Sequence, residues 1–273
     1  MKKIFWGLIV LMGLVGLVGC DRIEEDEYTV YDGAVVTWTD SDATLTPVQR
    51  AYVEKYTGPR CSNCPRADET LAAIEDSRVV VVSVNHPTGQ GIPYPNQPDL
   101  RTDGGNAWDQ YFGINAIPAA YLNRQGTQFQ GDMGTIASAI NQALGEEAKV
   151  ALAANATANA GKVNITVDMQ FAEGYTNTVT LTAALVEDSL KYKQLLPDNT
   201  VDDNYVHNHM LRKVITGYWG RDVERNAGNG KALRGTLSFT PASDIKLENS
   251  HIVVFVSDKA SRKVLNCASC RID

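Results

Sequence analysis

Positive charge is in short supply in this sequence. Its 25 lysines and arginines face 32 aspartates and glutamates, for a net charge of −7 and a pI near 5.2. Without a basic stripe, nucleic acid is excluded as a partner. Anionic lipid headgroups would not attract such a surface either. No internal repeat and no low-complexity linker is present, so the chain is neither a solenoid nor a string of tethered modules. Cysteine is also scarce, at five residues, and histidine at four. What is plentiful is ordinary: a hydrophobic content of 44% suits a globular chain with a real core. The length allows one large domain or two of common size.

The chain opens MKKIFWGLIVLMGLVGLVGC. Two lysines, an apolar run from Ile4 to Val18 and a small-residue end make the n-region, h-region and cleavage zone of a signal peptide over residues 1–19. A membrane span is the competing reading, because the run approaches the ~18 residues that spanning needs. No basic stop-transfer cluster follows it. Leu17-Val18-Gly19-Cys20 resembles the lipobox of bacterial lipoproteins, which implies cleavage before Cys20 and its lipidation. Cys20 would then anchor the protein in outer-membrane lipid through acyl chains and take no part in thiol chemistry. Residues 20–47 read as the anchor and a solvated tether, with acids at every position from Glu24 to Glu27. That run also resembles the acidic export signal of lipoproteins that Bacteroidetes send to the cell surface. The expectation is an outer-membrane lipoprotein, exposed at the surface or alternatively facing the periplasm, where disulfides can persist.

Grammar changes near Gly145. Over residues 48–147, strand-like and helix-like segments alternate. QRAYVEKYT (49–57) and RVVVVSVNH (78–86) read as strands, CPRADETLAAIE (64–75) and NAWDQYFG (106–113) as helices. AIPAAYLNRQG (116–126) is a strand with a turn, and GTIASAINQALGEEA (134–148) a helix. This order predicts an α/β layer fold. Residues 148–273 hold only strand-like runs between Gly, Asn, Asp and Pro turns, which predicts a β-sandwich of Ig-like size.

Setting Cys20 aside, the cysteines form two Cys-x-x-Cys pairs at opposite ends of the chain. The first, in TGPRCSNCPRA, stands before a predicted helix. If that helix starts at Cys61 or Ser62, its unpaired N–H groups and positive dipole end favour a thiolate at Cys61. Cys64, one turn on, would resolve a mixed disulfide, and Arg60 and Arg66 flank the pair. A permanent disulfide and half of a metal site remain open readings. Glu54 and Lys55, on the preceding strand, are candidate proton handlers, and the Gly- and Pro-rich loop 87–105 is long enough to face a substrate.

The segment FGINAIPAAYLNRQG resembles the part of thioredoxin-like proteins where a cis-proline precedes a strand opposite the dithiol. On that resemblance Pro118 and Ile117, with Arg60, would form the substrate groove. The chain departs from thioredoxins in having Arg60 for tryptophan and Ser62-Asn63 for Gly-Pro. Together, TGPRCSNCPRA, FGINAIPAAYLNRQG and HNHMLRKVITG resemble the 28-kDa outer-membrane lipoprotein family of Bacteroidetes. The resemblance implies a thioredoxin-like half followed by an Ig-like half; the dithiol, read as redox-active, implies a protein thiol or disulfide substrate. No organic cofactor is required, since the dithiol itself carries the electrons. The competing function is a non-enzymatic surface lipoprotein that binds a protein or glycan.

Cys267 and Cys270 lie on the last predicted strand, where residues three apart are about 10 Å apart and point to opposite faces. They are expected to be free. Pairing elsewhere, or a four-cysteine zinc site with Cys61 and Cys64, are the alternatives. His207 and His209 are predicted on one strand face without a third ligand nearby, so no metal site is assigned. His86 and His251 carry no constellation. Tyr218-Trp219 reads as packing or a turn, with an aromatic binding patch as the other reading. Asp188-Ser189-Leu190 matches a short O-glycosylation pattern.

Overall fold

The computed structural model describes residues 33–224 and 232–273; the signal peptide, Cys20 and the acidic run lie outside them. The elements in chain order are β1 (Thr37–Ser41), β2 (Ala51–Thr57), α1 (Cys64–Ala72), β3 (Val79–Asn85), α2 (Asp103–Phe112), β4 (Ala119–Leu122), β5 (Gln125–Gln130) and α3 (Ile136–Leu144). There follow β6 (Val150–Asn159), β7 (Lys162–Phe171), β8 (Val179–Glu187), β9 (Leu190–Leu195), β10 (Val201–His207) and β11 (Met210–Val214). Last come β12 (Arg221–Asp222), β13 (Ala232–Phe239), β14 (Ser250–Asp258) and β15 (Val264–Arg271).

Local chemistry accounts for the element boundaries. Thr102 caps α2 by accepting the Gly105 N–H at 3.0 Å, and Gly113 ends it in the left-handed conformation. Pro65 sits in the first turn of α1, where its missing N–H costs nothing. Along β13, Leu233, Gly235, Leu237 and Phe239 are buried and alternate with exposed residues, as a one-sided strand requires.

Two sheets form. The smaller, antiparallel, has the order β1-β13-β7-β6. The larger is mixed and runs β15-β14-β8-β11-β3-β2-β4-β5, with β12 added beside β8. Within it β2 and β3 are parallel, and β3 is also parallel to β11 through Ser83 and Met210. Strands from both sides of residue 148 therefore share one sheet. Thr37–Ser41, expected in the tether, pairs along β13.

Three large apolar cores, and a small one of Leu100, Leu190 and Met210, divide the space among the described residues. One lies between the small sheet and one face of β8 and β14. A second, built on Tyr52, Tyr56, Trp108 and Phe255, fills the inside of the large sheet, which curls until β15 approaches β2. The third packs α1 and α3 against the opposite face of β2. Strand β2 is buried along its whole length, so its side chains look alternately into two different cores.

Candidate functional site

Cys61 and Cys64 are joined by a disulfide, with Cα atoms 5.4 Å apart. Helix α1 starts at Cys64, with Asn63 as its cap. That is the first residue of the helix read over 64–75; a start at Cys61 or Ser62, the condition for a dipole-stabilised thiolate at Cys61, is not met. Cys61, Ser62 and Asn63 form a turn of their own, closed by the Cys64 N–H donating to the Cys61 carbonyl at 3.2 Å.

Both cysteines are buried, each at 1% exposure. The hairpin β9–β10 helps to cover them, and its attachments are specific. The Gln194 amide donates to the Cys61 carbonyl at 2.9 Å, the Leu195 N–H to the Pro59 carbonyl at 2.8 Å, and the Tyr205 hydroxyl to Asp68 of α1 at 3.0 Å. The sequence reading omitted this hairpin. Its signal was present in LKYKQL and in the turn Pro197-Asp198-Asn199-Thr200, where Asp198 accepts the Thr200 N–H.

The Ile117–Pro118 bond is cis. Strand β4 pairs antiparallel with β2, Ala119 lying opposite Tyr56. Continued by one residue, that register sets Pro118 beside Thr57, at the end of β2 that leads into Cys61. Arg60 is already engaged. Its guanidinium donates to the carbonyls of Ile92 and Pro93 at 3.0 and 2.9 Å and lies 4.7 Å from the centre of the Tyr94 ring. It ties down the loop between β3 and α2. Close approach is required here: a Cβ on Gly58 would collide with the Gln90 carbonyl. The loop and the hairpin enclose a small cleft lined by Pro59, Tyr94, Leu100, Tyr192 and His207.

Beneath the disulfide helix lies Lys55. It is ion-paired with Asp68, itself one-third exposed, and burial pulls its ammonium down to about 7. Nearby His207 is pulled down to about 4 by burial, with the charge of Lys55 adding to the effect. Glu54 points the other way. It accepts from Tyr52, Tyr56 and Arg124 in the second core, and burial raises both tyrosine hydroxyls well above their ordinary value. Arg124 completes this buried network, stacked 4.3 Å from the Trp108 ring centre and 4.8 Å from that of Phe255.

Cys267 and Cys270 are free. Cys267 faces the second core and Cys270 the first, on opposite sides of β15. Burial pushes their thiols up to about 12 and about 11. They do not meet Cys61 and Cys64: among the described residues, the group of three or more potential metal ligands is Asp188, His209 and His251. This corrects the histidine readings. His209 has φ of +60° after the end of β10, so it leaves the face of His207 and joins His251. His86 pairs through Nδ1 with Asp109 at 2.7 Å. Tyr218 and Trp219 sit in a turn, where the Tyr218 carbonyl accepts the Trp108 indole N–H at 2.6 Å and Trp219 packs on Tyr111.

Together these features define a mixed α/β protein whose parallel β2–β3 pair, helix-leading disulfide and cis-proline strand are compatible with a thioredoxin-like arrangement. The model of the outer membrane protein Omp28 family matches residues 105–273, more than half of the chain, and the chain belongs to that family. The family is one of outer membrane proteins. The matched segment contains Pro118, Cys267 and Cys270 and begins after Cys61 and Cys64. Among solved structures, HBP35 of Porphyromonas gingivalis aligns at 18% identity over 84% of this chain and 77% of its own, with a TM-score of 0.66. That likeness is one of fold. A domain of the outer membrane lipoprotein Omp28 from the same organism aligns at 26% identity over 46% of this chain and 89% of its own, TM-score 0.33. A protein from Agrobacterium tumefaciens gives 16%, 82%, 95% and 0.48. Comparison with curated proteins gives no match.

Proposed function

We propose that this lipoprotein is a thiol–disulfide exchange protein, anchored through a lipidated Cys20 and working through Cys61 and Cys64. In this reading residues 48–147 are the thioredoxin-like part and residues 148–273 an Ig-like sandwich that docks or spaces it. A substrate thiolate attacks the Cys61 sulfur, and the Cys61–Cys64 bond breaks. Cys64 leaves as a thiolate, which takes a proton. A second substrate thiolate then attacks its own mixed-disulfide sulfur and releases Cys61. Two electrons and two protons pass from the substrate dithiol to the protein, and the reverse sequence reduces a substrate disulfide. Lys55, on the helix side of β2 and paired with Asp68 of α1, is the candidate proton source on that side. Ile117 and cis-Pro118 would hold the substrate backbone, while Arg60 keeps the neighbouring loop in place.

The observation that carries this reading is the disulfide itself, joining the turn before α1 to the first residue of that helix at the sheet end where Pro118 stands. A second reading, a non-enzymatic module that binds a protein or glycan, is favoured by the burial of both cysteines. Equilibration with glutathione separates them. A reversible potential in the range of about −120 to −270 mV, with Cys61 titrating below the free value of about 8.5, is expected for exchange. A disulfide that the glutathione pool leaves intact would favour the binding module and sink the exchange mechanism.

A further inference from the structure

Three strand ends meet in the large sheet. Asp188 follows the last residue of β8, His209 precedes β11, and His251 is the second residue of β14. Sheet register brings them together: Glu187 pairs with both Met210 and Ser250, and His251 with Val186. The candidate ligand atoms of the three side chains all lie within 4.8 Å of one another.

We propose that Asp188, His209 and His251 form a mononuclear site for a first-row divalent metal ion of the zinc class. The two carboxylate oxygens of Asp188 each face one imidazole: Oδ1 lies 3.3 Å from His209 Nδ1, and Oδ2 lies 3.3 Å from His251 Nδ1. Charge-assisted hydrogen bonds of this type are shorter, about 2.7–2.9 Å. Metal bonds of about 2.0–2.1 Å in a tetrahedron set ligand atoms about 3.3–3.4 Å apart. Each Asp188–imidazole separation is the length of one such edge, and with a single ligand atom from each residue all three lie within 4.8 Å of one another. Two imidazoles and one carboxylate favour zinc or a neighbouring transition metal, since calcium and magnesium select all-oxygen shells.

The surroundings orient the ligands. The His209 N–H donates to Asp188 Oδ1 at 2.7 Å, the Asp188 N–H to the Asn249 carbonyl at 2.9 Å, and the Ser189 N–H to the Asn208 side chain at 2.9 Å. The carboxylate is thus fixed before any ion arrives, as outer hydrogen bonds do in metal sites. One side is open to solvent, because the His209 side chain is 48% exposed. Three protein ligands and an open position describe an exchangeable site, with water as the fourth ligand, rather than a closed structural one.

The test uses the untagged mature chain carrying Cys61→Ser and Cys64→Ser, so that exchange chemistry plays no part, and adds Cys267→Ala and Cys270→Ala as a control that removes the two free thiols. Isothermal titration with zinc should show one equivalent bound, and cobalt(II) should give the visible bands of a four-coordinate nitrogen and oxygen site. His251→Gln and Asp188→Asn should each weaken zinc binding at least about tenfold, with unchanged circular dichroism. His207→Gln should bind like the parent. Absence of stoichiometric zinc binding or of the cobalt bands overturns the site. So does equal affinity in His251→Gln.

Discussion

Strand β2 separates two cysteine environments that the same Cys-x-x-Cys spacing gives no reason to distinguish. On one side, Cys61 and Cys64 are bonded to each other across a turn and covered in part by a hairpin. On the other, Cys267 is sunk among Tyr52, Tyr56 and Phe255, while Cys270 points to a different core altogether. The difference is backbone geometry. A turn before a helix brings residues three apart to 5.4 Å, whereas an extended strand drives them to opposite faces. Charge follows the same division. Glu54 and Lys55 are neighbours in sequence, yet one belongs to an apolar core with Arg124 and the other lies under the disulfide helix with Asp68.

The largest expected effect concerns thiol reactivity. With its thiol pushed up to about 12, Cys267 is a thiolate at pH 7 about 3 × 10³ times less often than a free cysteine of about 8.5. In the mature chain lacking Cys20, a thiol reagent should leave fully buried Cys267 unmodified in the oxidised native protein and modify it after denaturation, with partly exposed Cys270 reacting slowly in the native state. Rapid native modification of Cys267 would erase the contrast between the two pairs.

Next comes the ion pair on the core side. Glu54 is fully buried, and its partner Arg124 is nearly so. Glu54→Ala leaves a buried guanidinium unpaired and should cost about 3–5 kcal/mol in urea unfolding, without shifting the potential of the Cys61–Cys64 couple. A shift of that potential would mean that the two sides of β2 are not independent.

Lys55 gives a smaller, pH-dependent effect. Its ammonium falls from an ordinary 10.5 to about 7 on folding, so between those values the unfolded chain binds more protons than the folded one. Stability contributed by this group is complete above about 10.5 and lost as pH falls towards 7, at no more than about 1.4 kcal/mol per pH unit. Lys55→Met should flatten the rise in unfolding free energy between pH 7 and pH 9. An identical rise in the variant would show that another group carries it.

How much of this was legible follows from where each signal resides. The helix at CPRADETLAA and the strand at RVVVVSVN announce themselves through local composition and periodicity. The opposed directions of Cys267 and Cys270 follow from strand geometry alone. The Asp188–His209–His251 cluster could not be read that way, because its members come from three strands whose register is set by the sheet. Nor could Glu54 and Lys55 be assigned their sides, since β2 is buried on both and no polar–apolar alternation marks either. The hairpin β9–β10 fell between. Its turn was readable, but its role depends on reaching a carbonyl 133 residues away in sequence.

That hairpin carries the smallest predicted effect and the sharpest test of what shields the disulfide. The Gln194 amide donates to the Cys61 carbonyl at 2.9 Å and to the Leu195 carbonyl at 3.0 Å, and also reaches the Gly58 carbonyl at 3.4 Å. Replacing it by alanine removes a net contribution of about 1 kcal/mol, which raises the open population of the hairpin about fivefold if those bonds hold it down. Native-state reduction of Cys61–Cys64 by a small dithiol should then be about fivefold faster, because local opening precedes attack on a buried sulfur. Modification of Cys267 should not change, since among the described residues the apolar side chains of the second core include none from the hairpin. An unchanged reduction rate would mean that reductant reaches the sulfurs by another route, past cis-Pro118 or the Arg60-tethered loop, and that the hairpin only props the sheet.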